Sequence, residues 1–322
     1  MNGKIKKITI SLIIPVYNVQ DYLERSLNSV EKQTFKDFEA IIVNDGSTDN
    51  SLEIIKKFVA RNKNFFLINQ ENKGLSEARN AGIEKSSGNY IAFLDSDDFL
   101  EPNYLKVFYS TALKTGADIV CCNFYFYYTK TKLRFPCPLT SIPGVYSGEE
   151  AFKKIVLCMG TFMFAWNKFF KRELFFKYKI KFYGINFEDC VTSPCLFFYA
   201  QKVAFITDIL YNYVMRKTSI VHNMDATKIN DFVRAIGANR NFYEKKGIYK
   251  KYRRRLKTHS LVTNFIVFYD LFVMHLKCAN FNRFFKNVHA ATKSLNYFVS
   301  DHYQPVNKFL PDLMYPVKNP KD

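Results

Sequence analysis

Tyr90-Ile91-Ala92-Phe93-Leu94-Asp95-Ser96-Asp97-Asp98 is an apolar run that ends abruptly in three carboxylates. Read as a buried strand, residues 90–94 deliver Asp95, Asp97 and Asp98 to a strand mouth, where unpaired carboxylates repel one another and one pKa rises. A divalent cation relieves that repulsion, because hard cations take oxygen ligands. A solvated acidic turn relieves it as well, and the stretch alone leaves the two readings even. Upstream the pattern repeats. Residues 8–15 form a first strand, nearly continuous in apolar, β-branched character, which suits burial on both faces. Residues 21–33 place Tyr22, Leu23, Leu27 and Val30 at helical spacing. Strands at 38–43 and 65–69 alternate with helices at 51–61 and 75–85. Gly46 permits a tight turn, Ser47, Thr48 or Asp49 can cap the second helix, and Gly88 closes the third. Alternation of this kind predicts an α/β fold with a mostly parallel sheet and right-handed crossovers. Ligands in such sheets bind outside the carboxyl ends of the strands. The loops 15–18, 44–49 and 95–98 should therefore meet at one crevice, which tips the acidic stretch toward a metal site.

Composition bounds the function. The 322 residues carry a net charge of +18, which calls for an anionic partner such as a phosphorylated substrate, an acidic membrane surface or nucleic acid. Seven cysteines without a CxxC pair suit a reducing compartment better than a disulfide framework or a zinc site. The apolar core of residues 8–16 is too short for a signal peptide, and no apolar run reaches the ~18 residues of a membrane span. No GxGxxG follows the first strand and no GxxxxGK[ST] occurs, which argues against dinucleotide cofactors and P-loop chemistry.

Five ordered segments carry a specific resemblance: Ser11-Leu-Ile-Ile-Pro-Val-Tyr-Asn18, Ser26-Leu-Asn-Ser-Val-Glu-Lys-Gln-Thr-Phe35, Val43-Asn-Asp-Gly-Ser-Thr-Asp49, Asn72-Lys-Gly-Leu-Ser-Glu-Ala-Arg-Asn-Ala-Gly82 and Asp95-Ser-Asp-Asp98. Together they resemble the nucleotide-sugar half of an inverting family 2 glycosyltransferase with the Rossmann-like GT-A fold, of the kind that builds bacterial capsular polysaccharide and lipooligosaccharide. The resemblance implies transfer of a sugar from a nucleotide diphosphate, uridine by preference, to a hydroxyl, with Mn2+ or Mg2+ as cofactor. It implies that Pro15, Val16, Tyr17 and Asn18 border the base and ribose and that Asp45 accepts from the base. The family commonly has a second acid just before that one; this chain has Asn44. Arg79 and Ser96 join the donor site by the same reasoning, with a surface salt bridge as the rival reading of Arg79. Asp97 becomes the direct metal ligand, Asp95 its partner near the ribose, and Asp98 a cap for the helix that follows.

The second half supplies the rest. A helix at 105–114 and a strand at 117–126 precede an irregular or hairpin segment at 129–143, and core packing accounts for Cys121 and Cys122. Ser147 caps a helix at 147–158, ahead of Glu149 and Glu150. Ala165-Trp-Asn-Lys-Phe-Phe-Lys-Arg172 and then Phe187-Glu-Asp189 continue the resemblance, which implies Asp189 as the base that deprotonates the acceptor and Glu188 as an acceptor-site residue that orients the acceptor or the base. The rival reading is that both acids simply begin the helix 190–200, where they favour the N-terminal dipole. Trp166 is assigned an acceptor-sugar platform, with core packing as the alternative. Strands at 202–206 and 209–215 lead to Arg216 and Ser219, whose loop resembles one that closes over a donor diphosphate; His222 reads as a solvated loop histidine. Helices at 227–243 and 249–277 include the basic run 250–255, read either as a helix pair packed on the catalytic domain with a solvated basic face or as a contact for an anionic membrane surface. The chain thus divides into a donor half (1–105), an acceptor half (106–224) and a helical C-terminal extension (225–322). The partners expected are a nucleotide-sugar donor, a glycan or lipid-linked glycan acceptor and the inner face of the cytoplasmic membrane. The competing functions are a basic nucleic-acid-binding protein, for which no motif appears, and an inactive scaffold, against which the intact acids argue.

Overall fold

The apolar runs of the first hundred residues form parallel strands β1 (Ile10–Val16), β2 (Phe38–Asp45), β3 (Phe65–Gln70) and β4 (Tyr90–Phe93), with helices α1 (Gln20–Glu31), α2 (Ser51–Arg61) and α3 (Leu75–Lys85) in the crossovers. Every residue of β1 is buried, as its nearly unbroken apolar character demands, and Ser11, the exception, donates to Glu39 Oε1 (2.6 Å). The computed structural model describes residues 8–137, 142–156, 162–216 and 226–254.

Beyond the acidic stretch come β5 (Phe99–Leu100), α4 (Tyr104–Thr115), β6 (Ile119–Tyr128), β7 (Arg134–Pro136), β8 (Gly144–Ser147), α5 (Gly148–Val156), β9 (Lys168–Lys171), α6 (Glu173–Lys177), α7 (Asp189–Tyr199), β10 (Lys202–Met215) and α8 (Ala226–Lys245). The ten strands among the described residues join one sheet in the order β3-β2-β1-β4-β9-β6-β10-β5, with β7 on β6 and β8 on β10. β9 is antiparallel to both β4 and β6, so those two run the same way, and β10 is parallel to β6. The carboxyl ends of β1, β2, β4, β6 and β10 therefore share one edge of the sheet, which is where a ligand crevice forms. Residues 1–105 and 106–224, expected to form separate halves, both contribute strands to that single sheet, and β5, from the first, lies beyond β10, from the second.

Alternate residues pack on opposite faces. Leu12, Cys122 and Phe169 join the core under one face, whereas Ile13, Cys121 and Phe170 join the core under the other. Both central cysteines are thus packing residues, as expected. The α5 terminus is a reciprocal capping box: the Glu150 amide donates to Ser147 Oγ (3.3 Å), and Glu150 Oε2 accepts from the Ser147 amide (3.1 Å).

Two expectations change. Residues 168–171 read as a basic segment, yet they form central strand β9 with Lys168 fully buried. Burial is tolerated because the Lys168 ammonium donates to the carbonyls of Phe162 and Phe164 (both 2.5 Å) and to Asn167 Oδ1 (2.8 Å). The two strands at 202–206 and 209–215 are one strand, β10, whose register against β6 slips between Phe205 and Tyr211; exposed Thr207 and Asp208 mark the irregularity. Of the C-terminal region, α8 packs against α7. The basic run past Arg254, most of the predicted helix 249–277 and the rest of the extension lie outside the described residues. Among the described residues, no helix is long and apolar enough to cross a membrane.

Candidate active site

The first two strand-end loops are laced together. Pro15 and Val16 are buried at the end of β1, while Tyr17 and Asn18 emerge, Tyr17 half exposed and Asn18 in the left-handed region at φ 49°. The Asn18 amide donates to Ser47 Oγ (3.2 Å), and Asn18 Oδ1 accepts from the Thr48 amide (2.8 Å). Asp49 Oδ1 accepts from the Ser51 amide (2.9 Å) at the start of α2, and its Oδ2 accepts from the Gln20 amide (3.0 Å) at the start of α1. One acid so fixes two helix starts.

Asp45, at the end of β2, is 2% exposed. Its Oδ1 accepts from Gln70 Nε2 (2.7 Å) and the Lys73 amide (2.9 Å), and its Oδ2 from the Gly74 amide (2.8 Å). Three of about four lone-pair sites on the carboxylate are taken, so its first work is to fold the β3–α3 connection, where Gly74 holds φ +87°. Asn44 is tied to Asn69 Oδ1 (2.6 Å).

The acidic stretch leaves β4 with each acid in a different environment. Asp95 Oδ1 accepts from Arg79 Nη2 (2.8 Å). Asp97 is paired with Arg216, and its carbonyl accepts from Arg25 Nη2 (3.1 Å). Burial pushes the Asp97 carboxyl up, the Arg216 charge holds it down, and Asp95 adds a further upward push. Ser96 is buried. Asp98 does not cap a helix, since Asn103 precedes α4. It is fully buried instead, accepting from the Val214 amide (2.7 Å) and the Tyr211 hydroxyl (2.8 Å), and burial drives its pKa well up. The same Tyr211 oxygen accepts from the Asp95 amide (3.2 Å), so β10 fastens the acidic turn from beneath.

Opposite this turn stand Glu188 and Asp189, at the start of α7. Arg79, read from sequence as a donor contact or a surface salt bridge, is 1% exposed, so its ion pairs are buried and not on the surface. One Nη1 reaches both Glu188 and Asp189 (3.1 Å to the latter), while Nη2 holds Asp95. Asp189 Oδ2 accepts from the Ala165 amide (3.1 Å). Burial and then the neighbouring Asp189 charge raise Glu188 to about 7, against the pull of Arg79. Burial likewise raises Asp189, with Arg79 opposing. Phe187 holds φ 64°, a left-handed turn that brings the acid pair round.

Trp166 is not a sugar platform. It is 3% exposed and lies in the core, stacked on Tyr211 (4.3 Å) and Phe164 (4.8 Å) with Phe124 at its edge. A single tryptophan in an aromatic-rich chain finds enough apolar partners inside that no face is left for a ligand. Arg216 lies at the crevice edge with its guanidinium over the Tyr22 ring (5.3 Å). Ser219 and His222 lie outside the described residues. Sequence reasoning missed Arg25, whose guanidinium lies over Phe99 (4.9 Å) and Tyr127 (5.1 Å) and reaches the Asp97 backbone. It also missed Tyr211 and Lys168; the apolar pair Phe169-Phe170 that follows Lys168 was the one visible signal.

Asp95 and Asp97 fit a divalent cation of the magnesium or manganese kind. Such ions use one or two carboxylates together with substrate phosphates, and an arginine cation already rests on Asp97. Among the described residues no group of three or more metal-ligating side chains forms a closed site.

Residues 11–182 match the family described as glycosyl transferase family 2. The glycosyltransferase GlyA of Streptococcus pneumoniae is 35% identical over 217 residues, 66% of this chain but only 31% of GlyA. The cholesterol galactosyltransferase of Borreliella burgdorferi is 31% identical over 275 residues, covering 78% of this chain and 74% of that protein. Among solved structures, S. aureus TarS with UDP-GlcNAc superimposes with a TM-score of 0.57 at 17% identity, over 90% of this chain and 89% of the other. The mannosyltransferase PcManGT of Pyrobaculum calidifontis, with GDP-Man and Mn2+, gives 0.55 at 13% identity, over 89% and 86%. At these identities the structural likeness speaks for the fold alone.

Proposed function

This chain belongs to glycosyl transferase family 2, and we propose that it is a metal-dependent, inverting enzyme that moves a sugar from a nucleotide diphosphate to a hydroxyl of a glycan or lipid-linked glycan acceptor in surface polysaccharide biosynthesis. That it is a glycosyltransferase follows from its relatives; donor, acceptor and linkage are the proposal. The observation that carries it is the meeting of donor-side Asp95 with Glu188 and Asp189 on one guanidinium.

The roles follow from chemistry. Pro15, Val16, Tyr17 and Asn18 border the base and ribose, with Asp45 and Ser96 behind them. Mn2+ or Mg2+ held by Asp97 and Asp95 would neutralise charge gathering on the departing diphosphate. Arg216, with Ser219 beyond it, takes the diphosphate once it leaves Asp97. Asp189 accepts the proton of the acceptor hydroxyl while the oxygen attacks the anomeric carbon, and the carbon–oxygen bond to phosphate breaks on the far side. Its burial favours this, since a carboxylate raised above its usual range is a stronger base. Glu188 orients the acceptor. The charge of +18 supports a peripheral place on the inner face of the cytoplasmic membrane.

The bound UDP-GlcNAc of TarS and the GDP-Man and Mn2+ of PcManGT support a nucleotide-sugar donor and leave the base to experiment. A thermal-shift panel of nucleotide sugars with and without Mn2+ decides it. One uridine diphosphate sugar should raise the melting temperature by several degrees, and chelation should abolish the rise. No shift with any nucleotide sugar contradicts the reading.

A further inference from the structure

The segment Leu75-Ser-Glu-Ala-Arg-Asn80 does more in this fold than its sequence suggests. Ser76, Arg79 and Asn80 stand at i, i+3 and i+4 on α3, hence on one helix face. All three reach the segment that carries the acid pair. Ser76 Oγ donates to the Tyr183 carbonyl (2.6 Å). Asn80 makes a reciprocal pair with Phe182: its Nδ2 donates to the carbonyl (2.8 Å), and its Oδ1 accepts from the amide (2.9 Å). Arg79 takes Glu188 and Asp189. Elsewhere on its surface the helix is fixed to the sheet: Ala78 packs on Ile41 and Val43, and a side chain at Gly82 would place its Cβ 2.4 Å from Ile13 Cγ2. α3 is therefore a rigid part of the donor half with a row of polar grips on the base-bearing segment.

We infer that this row is a bracket, with Arg79 as the positioning residue that sets the Glu188–Asp189 pair in register with donor-side Asp95. Geometry gives the reason for arginine. The planar fork presents two nitrogens at fixed separation, one to the acid pair and one to Asp95, whereas a lysine ammonium is a single point on a flexible stem. The contacts bridge 16, 109 and 110 residues of chain, so no local structure fixes this spacing otherwise. Misplacement of reacting groups by about 1 Å costs on the order of 100-fold in rate.

The inference rests on Asp189 as the base, and the test separates the two. Steady-state transfer is measured for the wild type and for Arg79→Lys, Arg79→Gln, Asn80→Ala and Asp189→Asn, with donor KM and kcat resolved and folding checked by melting temperature. Arg79→Lys keeps the buried charge and should fold. Its kcat should fall about 100-fold while donor KM changes by less than about threefold, and Arg79→Gln should be worse. Asn80→Ala, which leaves all four charges in place, should lose about tenfold in kcat with donor KM unchanged. A wild-type kcat in Asn80→Ala or Arg79→Lys, or a loss that appears wholly in donor KM, overturns the bracket. Activity in Asp189→Asn would instead overturn the base assignment on which it stands.

Discussion

Asp189→Asn is expected to abolish transfer, by about 1,000-fold or more, while donor binding stays within about twofold. General base catalysis contributes ~100- to 10,000-fold, and the amide cannot take the proton. The substitution is nearly isosteric. Its oxygen can still accept from the Ala165 amide, 3.1 Å from Asp189 Oδ2, while its amide nitrogen replaces the oxygen that accepts from Arg79 Nη1, so the melting temperature should fall modestly and folding is checked alongside. Donor affinity by calorimetry and transfer by product analysis are the two measurements, and persisting transfer places the base elsewhere. The pH dependence carries a sign. Burial lifts Glu188 to about 7 from an ordinary 4.5, and Asp189 is lifted as well. The pair keeps an extra proton below neutrality, so wild-type kcat/KM should rise with pH through about 7. Stability runs the other way. Between about 4.5 and 7 the folded state binds more protons at Glu188 than the unfolded chain does, and its contribution is lost as pH climbs through that window.

The second large effect belongs to Asp97. Asp97→Ala should lower transfer by at least about 100-fold at saturating Mn2+, because Lewis-acid stabilisation of a leaving diphosphate is worth several kcal/mol. Asp97 and Arg216 are partners here, so the variant also frees a guanidinium at the mouth of the crevice. Arg216 is then available to the diphosphate from the start, and the Mn2+ concentration that restores half-maximal activity should rise sharply or vanish from reach. Unchanged turnover with metal present contradicts the assignment. Asp98→Asn is a useful contrast: that acid is sealed under Tyr211 and the Val214 amide, and its loss should register in stability.

The sheet was legible because its strands are buried on both faces. Runs such as Ile10–Val16 and Phe38–Asp45 are buried throughout, and their few polar residues do not recur at helical spacing. Strand β9 was not legible, because Lys168 stands inside it and only the carbonyls of Phe162 and Phe164 make that charge tolerable. The acids of the site were legible as clusters at strand mouths and helix starts. Their partners were not. Arg79 lies on α3, and nothing near position 79 in sequence announces Glu188 and Asp189, 109 and 110 residues on. Trp166 illustrates the opposite error. An aromatic ring suits a sugar or a core equally well by type, and only its stack with Tyr211 and Phe164 decides. Asp98 was misplaced for a similar reason, since a buried acid satisfied by a distant strand looks, in sequence, like a cap for the next helix.

A single displacement driven by Asp189, across from a departing diphosphate, inverts the anomeric carbon. Proton NMR of the product made from an α-linked nucleotide sugar tests it directly through the coupling of the new anomeric proton. Inversion to the β-linkage is the predicted result, and retention of the α-linkage would contradict it.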